Sequence, residues 1–349
     1  MDVDIWRWLR RRAGERGPDR AAEVGPSRRV ERREPDTPIA LGWQGWWDAL
    51  RRTAHEFRED ELAARSAALT YYSVMSLFPA LLLAIAVLGL AGESVTDAVL
   101  DDAQQALPGS AHDVAANAVE ELQRTSGGVG SVLAIVGLVW AVWSASGYVR
   151  AFIQAANAVY EVPEGRPLWT VTPVRLALTL GLMLLGCAGA LVVVVTGGIA
   201  RRAGDVLGLG DAALTVWAVA KWPVLFVLFG LMLALLYWCA PNVRPEGWRW
   251  VTPGSLVALV LWVGASAMFA VYVANFSHYN KTYGAIGGVI VFLVWLRLSN
   301  LAILLGLEFD AELARGRAIA GGLPEQAEPY VHPRDTRKWH PEDYRQFAD

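Results

Sequence analysis

Six apolar stretches, each close to the length that crosses a bilayer and none containing an acid, restrict this chain to one class of fold. They run over residues 67–90, 129–148, 176–199, 212–240, 253–276 and 284–307. A helix needs about 20 apolar residues to cross a hydrocarbon core about 30 Å thick. Lipid offers the backbone no hydrogen-bond partner, so such runs are either helices or parts of a closed barrel. Period-two alternation is absent, which decides for helices. The sequence therefore predicts an all-α membrane protein of six transmembrane helices, and a composition of 54% hydrophobic residues and 16 Trp agrees.

Orientation follows from the basic residues. Residues 1–66 carry 14 Lys and Arg, 149–175 carry 3, 241–252 carry 2 and the stretch after Leu307 carries 6. The opposite segments carry Arg124, Arg201, Arg202 and Lys281, while Lys221 and Arg297 fall within spans. The positive-inside rule then places both termini in the cytoplasm and the acidic segment 91–128 outside. That segment has helical spacing broken at Pro108 and Gly109, the pattern of an outward helical hairpin. Residues 1–40 are Arg-rich and polar, without a cleavable signal, and are expected to be a disordered tail. Residues 41–66 are expected to be an amphipathic pre-membrane helix. Its Trp43, Trp46, Trp47, Leu50, Ala54 and Phe57 form one face, which either lies in the inner headgroup layer or packs beneath the bundle. The six-span domain would occupy 67–315 and a second disordered tail 316–349.

Chemistry is harder to find. Cys187 and Cys239 sit in spans, where small apolar filling is the expected role. The five His show no metal-ligand spacing, and neither a phosphate-cradling Gly loop nor a serine nucleophile elbow is present. No catalytic residue, cofactor or metal is expected, and the chain is not expected to be an enzyme.

Four pieces, in order, carry a family resemblance. They are "AALTYYSVMSLFPALLLAIAVLGL", "WSASGYVRAFIQAANAVYEVP", "APNVRPEGWRWVTPGSL" and the run from "YVANFSHYNKTYGAIGG" to "LEFDAEL". Over residues 50–315 the chain resembles the YihY/BrkB family of bacterial inner-membrane proteins. The resemblance implies six helical spans and a multi-pass place in the bacterial inner (plasma) membrane. Members have been called virulence factors and linked to serum resistance. Some once carried the name ribonuclease BN, but RNA hydrolysis needs a metal cluster or a His-centred acid and base that the cytoplasmic segments lack. The chain departs from the family pattern at Arg297, where relatives carry an aromatic or aliphatic residue.

The expected function is transport or handling of an anionic or amphipathic, lipid-like envelope molecule. The alternative is a non-catalytic scaffold of the cell envelope. Its partners are then the bilayer and an anionic lipid or other anionic small molecule, with no specific nucleic acid; an oligomer is compatible. Arg297 lies roughly 20 Å and 15 Å from the two ends of its span at 1.5 Å per residue. A charge at that depth normally faces the bundle interior or a wet cavity. Candidate substrate-binding residues are Arg297 with Asn300, Tyr71, Tyr72 and Asn275, then Arg150 and Asn157 at the inner mouth. Lys221, Asn280, Lys281 and Tyr283 are the candidates towards the outer one. Glu308, Asp310 and Glu312, directly after span six, are expected to be inner-surface charge that pairs with Arg150, Arg175 or Arg315, or to take part in proton coupling.

Overall fold

The computed structural model describes residues 24–90, 129–194, 211–244, 252–275, 280–340 and 343. Among them every regular element is helical: α1 (Arg28–Glu31), α2 (Gly42–Glu59), α3 (Leu62–Leu90), α4 (Val129–Val159), α5 (Leu168–Val194), α6 (Asp211–Cys239), α7 (Pro253–Asn275) and α8 (Asn280–Ala320). A 3-10 turn at Pro38–Leu41 precedes α2, and one antiparallel bridge joins Val243 to Pro333.

Four of these helices are long and apolar enough to cross a membrane, over Leu168–Val193, Thr215–Cys239, Pro253–Tyr272 and Gly287–Ala320. At most 28% of their apolar windows is buried within the chain. Soluble proteins rarely expose apolar surface on that scale, so a bilayer has to cover the remainder. The proposed hairpin at 91–128 lies outside the described residues, as do 1–23 of the N-terminal tail.

The helices obey local rules at the ends that matter for the site. Helix α2 ends at Asp60, and Glu61 takes a positive φ of 51° that turns the chain into α3. Helix α7 starts on a reciprocal cap. The Ser255 N–H donates to Thr252 Oγ1 at 3.1 Å and the Thr252 N–H to Ser255 Oγ at 3.0 Å, with Pro253 just inside, where its missing N–H costs nothing. The prolines within α3, α5 and α6 leave those helices continuous, as neighbours in a membrane bundle allow.

Contacts divide the chain into two compact units. One comprises Tyr71–Val149 and Leu176–Leu233. Its core brings Ala145 and Met183 together with Ala80 and Val142 around them. Ser76 Oγ donates to the carbonyls of Tyr72 at 2.7 Å and of Ala145 at 3.3 Å.

The other unit holds the described residues of Met1–Thr70, Arg150–Arg175 and Ala234–Asp349. Helices α7 and α8 approach backbone to backbone at Gly254 and Gly306, where an added Cβ would lie 2.0 Å and 2.4 Å from the opposite carbonyl oxygen. Helix α2 lies on α8 through Ala49, Phe309 and Leu313.

Three expectations change. The pre-membrane helix packs one face on α8 and leaves the other exposed. Trp46 packs on Phe309 with ring centroids 5.7 Å apart, whereas Trp43 and Trp47 stack on each other and stand exposed. The segment 24–40, expected to be disordered, carries α1 and the start of a 3-10 turn, and Arg317 Nε donates to the Pro35 carbonyl. The tail after residue 316 is also ordered as far as residue 340: α8 runs on to Ala320, and Tyr330 and Trp339 are buried. Trp339 packs with Val162 and Val243, apolar positions that composition alone does not pair.

Candidate functional site

A knot of polar loops holds Asn157. Asn157 Oδ1 accepts the Asn242 N–H at 2.7 Å, and its Nδ2 donates to Glu164 at 2.9 Å. Glu164 is held by Arg166 in a fork of 2.8 Å and 2.7 Å, and Arg166 also donates to the Ala240 carbonyl. Asn242 Nδ2 donates to the carbonyls of Pro163 and Asp335. Gly165 sits so close to the Asp335 carbonyl that a Cβ would lie 1.8 Å away. Both ends of the Asn157 amide are therefore engaged in a buried clasp between loops.

The other candidates are scattered. Arg297 is exposed, without an ion pair or hydrogen bond among the described residues, and does not point into the bundle. Asn300, one turn on, is 3% exposed and donates to Thr70 Oγ1 at 3.3 Å. Arg150 is exposed. Tyr71 and Tyr72 are exposed and meet edge to face at 5.3 Å. Lys221 lies 5.7 Å from the Trp222 ring centre. The side chains of Asn275, Asn280, Lys281 and Tyr283 lie outside the described residues. Helical phase explains the split of Arg297 from Asn300: three residues advance about 300° around a helix, and two adjoining faces of α8 meet different surroundings.

Two arrangements on the polar end of α8 stand out instead. The first is a cavity of about 730 Å³. Tyr237, Val243 and Leu313 give it apolar walls, and Arg244 and Arg317 bring guanidinium groups and His332 an imidazole to its lining. The segment 25–38 closes one side, and two of its acids pair with those groups: Glu31 Oε1 with His332 Nε2 at 2.6 Å and Glu34 Oε2 with Arg317 Nη2 at 3.7 Å. Asp310 also lines the cavity while its Oδ1 accepts the Gly254 N–H at 2.7 Å, which caps the start of α7.

The second is a charged seam between α2 and α8. Arg52, Glu56 and Asp60 follow one another at four-residue spacing on α2 and at its cap; Glu308, Glu312 and Arg315 share a face of α8. Arg52 Nε donates to Glu312 Oε2 at 2.5 Å and its Nη2 to the Glu312 carbonyl at 3.1 Å. Arg315 reaches Glu161 Oε1 at 2.7 Å and Glu312 Oε1 at 3.5 Å. The pairing of Glu312 with Arg315 is one the sequence anticipated; burial of the acids is not, since Glu308 and Glu312 are each 1% exposed.

Burial lifts Glu56 above the usual carboxylate range despite Arg315. Burial, reinforced by a hydrogen bond that protonated Glu161 can donate to the Glu328 carboxyl, lifts Glu161 to about 8 against the pull of Arg315. Asp60 is raised by burial as well, partly offset by its hydrogen bond with Glu308 and by the charges of Arg65 and Arg315. Glu161 Oε2, Glu308 Oε2 and Arg315 Nε are buried without a hydrogen-bond partner. Beside the seam, ligand atoms of His55, Glu56 and Glu59 lie within 4.8 Å of one another, a grouping that residue spacing had not revealed; His55 and Glu59 are solvent-facing and form an ion pair.

Long apolar helices that leave most of their surface to a surrounding bilayer, with a polar, charge-rich end folded from loops and tails, define an all-helical membrane protein. The chain belongs to the BrkB family: the family model described as Virulence factor BrkB matches residues 53–329. It is similar to the "Putative ribonuclease-like protein YfkH" of Bacillus subtilis, with 33% identity over 78% of this chain and 96% of that protein. A "UPF0761 membrane protein" of Alkalilimnicola ehrlichii is 29% identical over 75% of this chain, which spans only 57% of that relative's length. "UPF0761 membrane protein MS0032" of Mannheimia succiniciproducens is 25% identical over 76% of this chain and 89% of its own. No solved structure matches the chain.

Proposed function

We propose that this protein is a six-span bacterial inner-membrane protein, with both termini cytoplasmic, that binds and moves an anionic amphipathic molecule of the envelope without chemically changing it. The observation that carries the reading is the cavity of about 730 Å³ with Tyr237, Val243 and Leu313 on one part of its wall and Arg244, Arg317 and His332 on another. Its size falls in the range of about 300–1,000 Å³ usual for small-molecule sites. Apolar walls suit an acyl or prenyl chain, and guanidinium groups suit a phosphate or carboxylate. Glu31 and Glu34 stand where such an anion would stand, so the ligand displaces them from His332 and Arg317. Arg297, exposed on its span, offers a further charge to an anionic headgroup. The ribonuclease wording in the name of YfkH describes that protein, and purified protein free of RNA-cleaving activity is the expectation here.

The test is lipid binding by the full chain in nanodiscs, read by native mass spectrometry with phosphatidylglycerol against phosphatidylcholine. Retention of phosphatidylglycerol should drop at least tenfold in Arg244→Gln/Arg317→Gln, a loss of about 1.4 kcal/mol. Equal retention of both lipids by the wild type would refute the reading. Topology is tested separately with cysteines: Ser110→Cys should label from outside intact cells and Ser27→Cys only after lysis.

A further inference from the structure

The seam between α2 and α8 holds more acid than its bases neutralise. The groups that face one another are Arg52, Glu56 and Asp60 from α2 and its cap, Arg65 from α3, Glu308, Glu312 and Arg315 from α8, and Glu161 from the loop after α4 with Glu328 behind it. The guanidinium groups are largely committed elsewhere. Arg52 is bound to Glu312, Arg315 bridges Glu161 and Glu312, and Arg65 Nε donates to the main-chain carbonyl of Asp60 at 2.7 Å. None of these bonds reaches the Glu308 carboxyl, which is 1% exposed and leaves its Oε2 without a partner.

What lies against Glu308 is a second carboxyl, that of Asp60, at hydrogen-bonding distance. An ionised carboxylate has only acceptors, so a hydrogen bond between two carboxyls requires that one of them carry a proton. Two like charges in contact, Glu308 buried and Asp60 half-buried, do not both ionise readily. A metal ion is the other way to neutralise such a pair, but it needs several oxygens arranged around an open centre at about 2.0–2.6 Å from the ion. Among the described residues no third His, Cys, Asp or Glu groups with this pair closely enough to complete such a centre.

We propose that Asp60 and Glu308 form a proton-binding site that holds one proton between α2 and α8, and whose emptying loosens the docking of α2. The site stands apart from the cavity, on another face of α8, and does not depend on what the cavity binds. Asp60 ends α2, and the next residue turns the chain into α3. Charge repulsion at this pair therefore acts at the joint between the α2 helix and an apolar helix. Glu308 stands where the apolar stretch of α8 ends, so the proton can come from the polar end of the helix. Stability lent by the pair is fully present at low pH and is lost as rising pH removes the shared proton.

The test uses the full chain in nanodiscs of phosphatidylcholine and phosphatidylglycerol. Infrared difference spectroscopy should show a deuterium-sensitive band of a protonated carboxyl at neutral pH that disappears on alkaline titration, while the wild-type melting temperature falls over the same pH interval. Glu308→Gln keeps a hydrogen-bond donor without an ionisable group; it should abolish that band component and flatten the pH dependence. Asp60→Asn should do the same and serves if the first variant does not fold. Glu161→Gln removes the other carboxyl pair and should leave the component in place. A wild type with no protonated-carboxyl band at neutral pH overturns the proposal, as does a band component that remains in Glu161→Gln and also survives both Glu308→Gln and Asp60→Asn in that background. A melting temperature raised by Na⁺ or Mg²⁺ at constant ionic strength, with no such band, would assign the site to a metal cation instead.

Discussion

Replacing Gly306 by Ala tests whether the contact of α7 with α8 is what holds the cavity wall in place. The added methyl would lie 2.4 Å from the Gly254 carbonyl oxygen, 2.6 Å from Ala258 Cβ and 2.7 Å from Tyr237 Oη. Ordinary contacts of carbon are about 3.5–4.0 Å, and two of the three obstacles are rigid backbone or a methyl on it. The helices must therefore separate locally by roughly 1 Å. That stretches the 2.7 Å bond from the Gly254 N–H to Asp310 beyond hydrogen-bond range, a loss of about 1–3 kcal/mol. The bond from Tyr237 Oη to the Ile303 carbonyl, 2.5 Å long, goes with it, at about 1 kcal/mol. Overpacking adds about 1 kcal/mol or more. We expect a destabilisation of about 3–5 kcal/mol, measured as a shift in reversible unfolding in mixed micelles against wild type. Gly264→Ala on the same α7 is the control, because a methyl there meets nothing within 4 Å and it should be neutral or slightly stabilising. A Gly306→Ala protein within about 0.5 kcal/mol of wild type, or one no worse than Gly264→Ala, would show that the close approach carries no weight.

The same unfolding assay reads three further perturbations. Arg52→Ala leaves Glu312, 1% exposed, short of its 2.5 Å partner and should cost about 3 kcal/mol, whereas the double change Arg52→Met/Glu312→Met should recover most of it; a double variant as poor as the single would contradict the pairing. Glu161 is raised from 4.5 to about 8 by burial and by Glu328, so the folded state binds its proton more tightly than the unfolded one. Its stabilising effect is complete below pH 4.5 and lost towards pH 8, and Glu161→Gln should flatten the melting temperature across that window. Trp46→Ala, which removes a ring packed on Phe309, should destabilise by about 2 kcal/mol. Trp47→Ser, on the exposed face, should leave stability within about 0.5 kcal/mol but weaken partition of an isolated 42–59 peptide into vesicles.

Most of the helical framework is legible in the sequence because bilayer thickness imposes a length on apolar runs, and residues 253–275 and 211–239 match their expected spans closely. What hydropathy does not mark is where a helix ends in water. The apolar run of α8 stops at Leu307, yet the helix continues to Ala320, through Glu, Ala, Leu and Arg residues that favour helix whatever solvent surrounds them. The same holds for α4, whose helix extends from the apolar stretch to Val159. The tails mislead for a related reason. Their composition is that of an unfolded segment, but Tyr330, Trp339 and Pro26 find buried places on surfaces supplied by distant loops, and single-sequence composition carries no information on such surfaces.

The site is less legible than the fold because depth in the membrane does not reveal which polar groups face a ligand. Arg297 is a charge in mid-span, and it lies exposed; Asn157 is a polar group at an expected inner mouth, and its amide closes a loop clasp. The stronger signal was a spacing. Arg52, Glu56 and Asp60, like Glu308 and Glu312, repeat at four residues, which puts each set on one helical face. A solvated face has the same spacing. What distinguishes the two cases is the buried neighbours: Thr53 follows Arg52 and Ala49 lies about one turn before it, and Leu307, Phe309, Ala311 and Leu313 alternate with the acids of α8. Acids set this tightly among apolar neighbours cannot all face water, because the helix has no fully polar side left to give them. Helix α8 must then bury some of its carboxyls, and their partners have to come from another segment with a matching repeat, of which α2 is the example at hand.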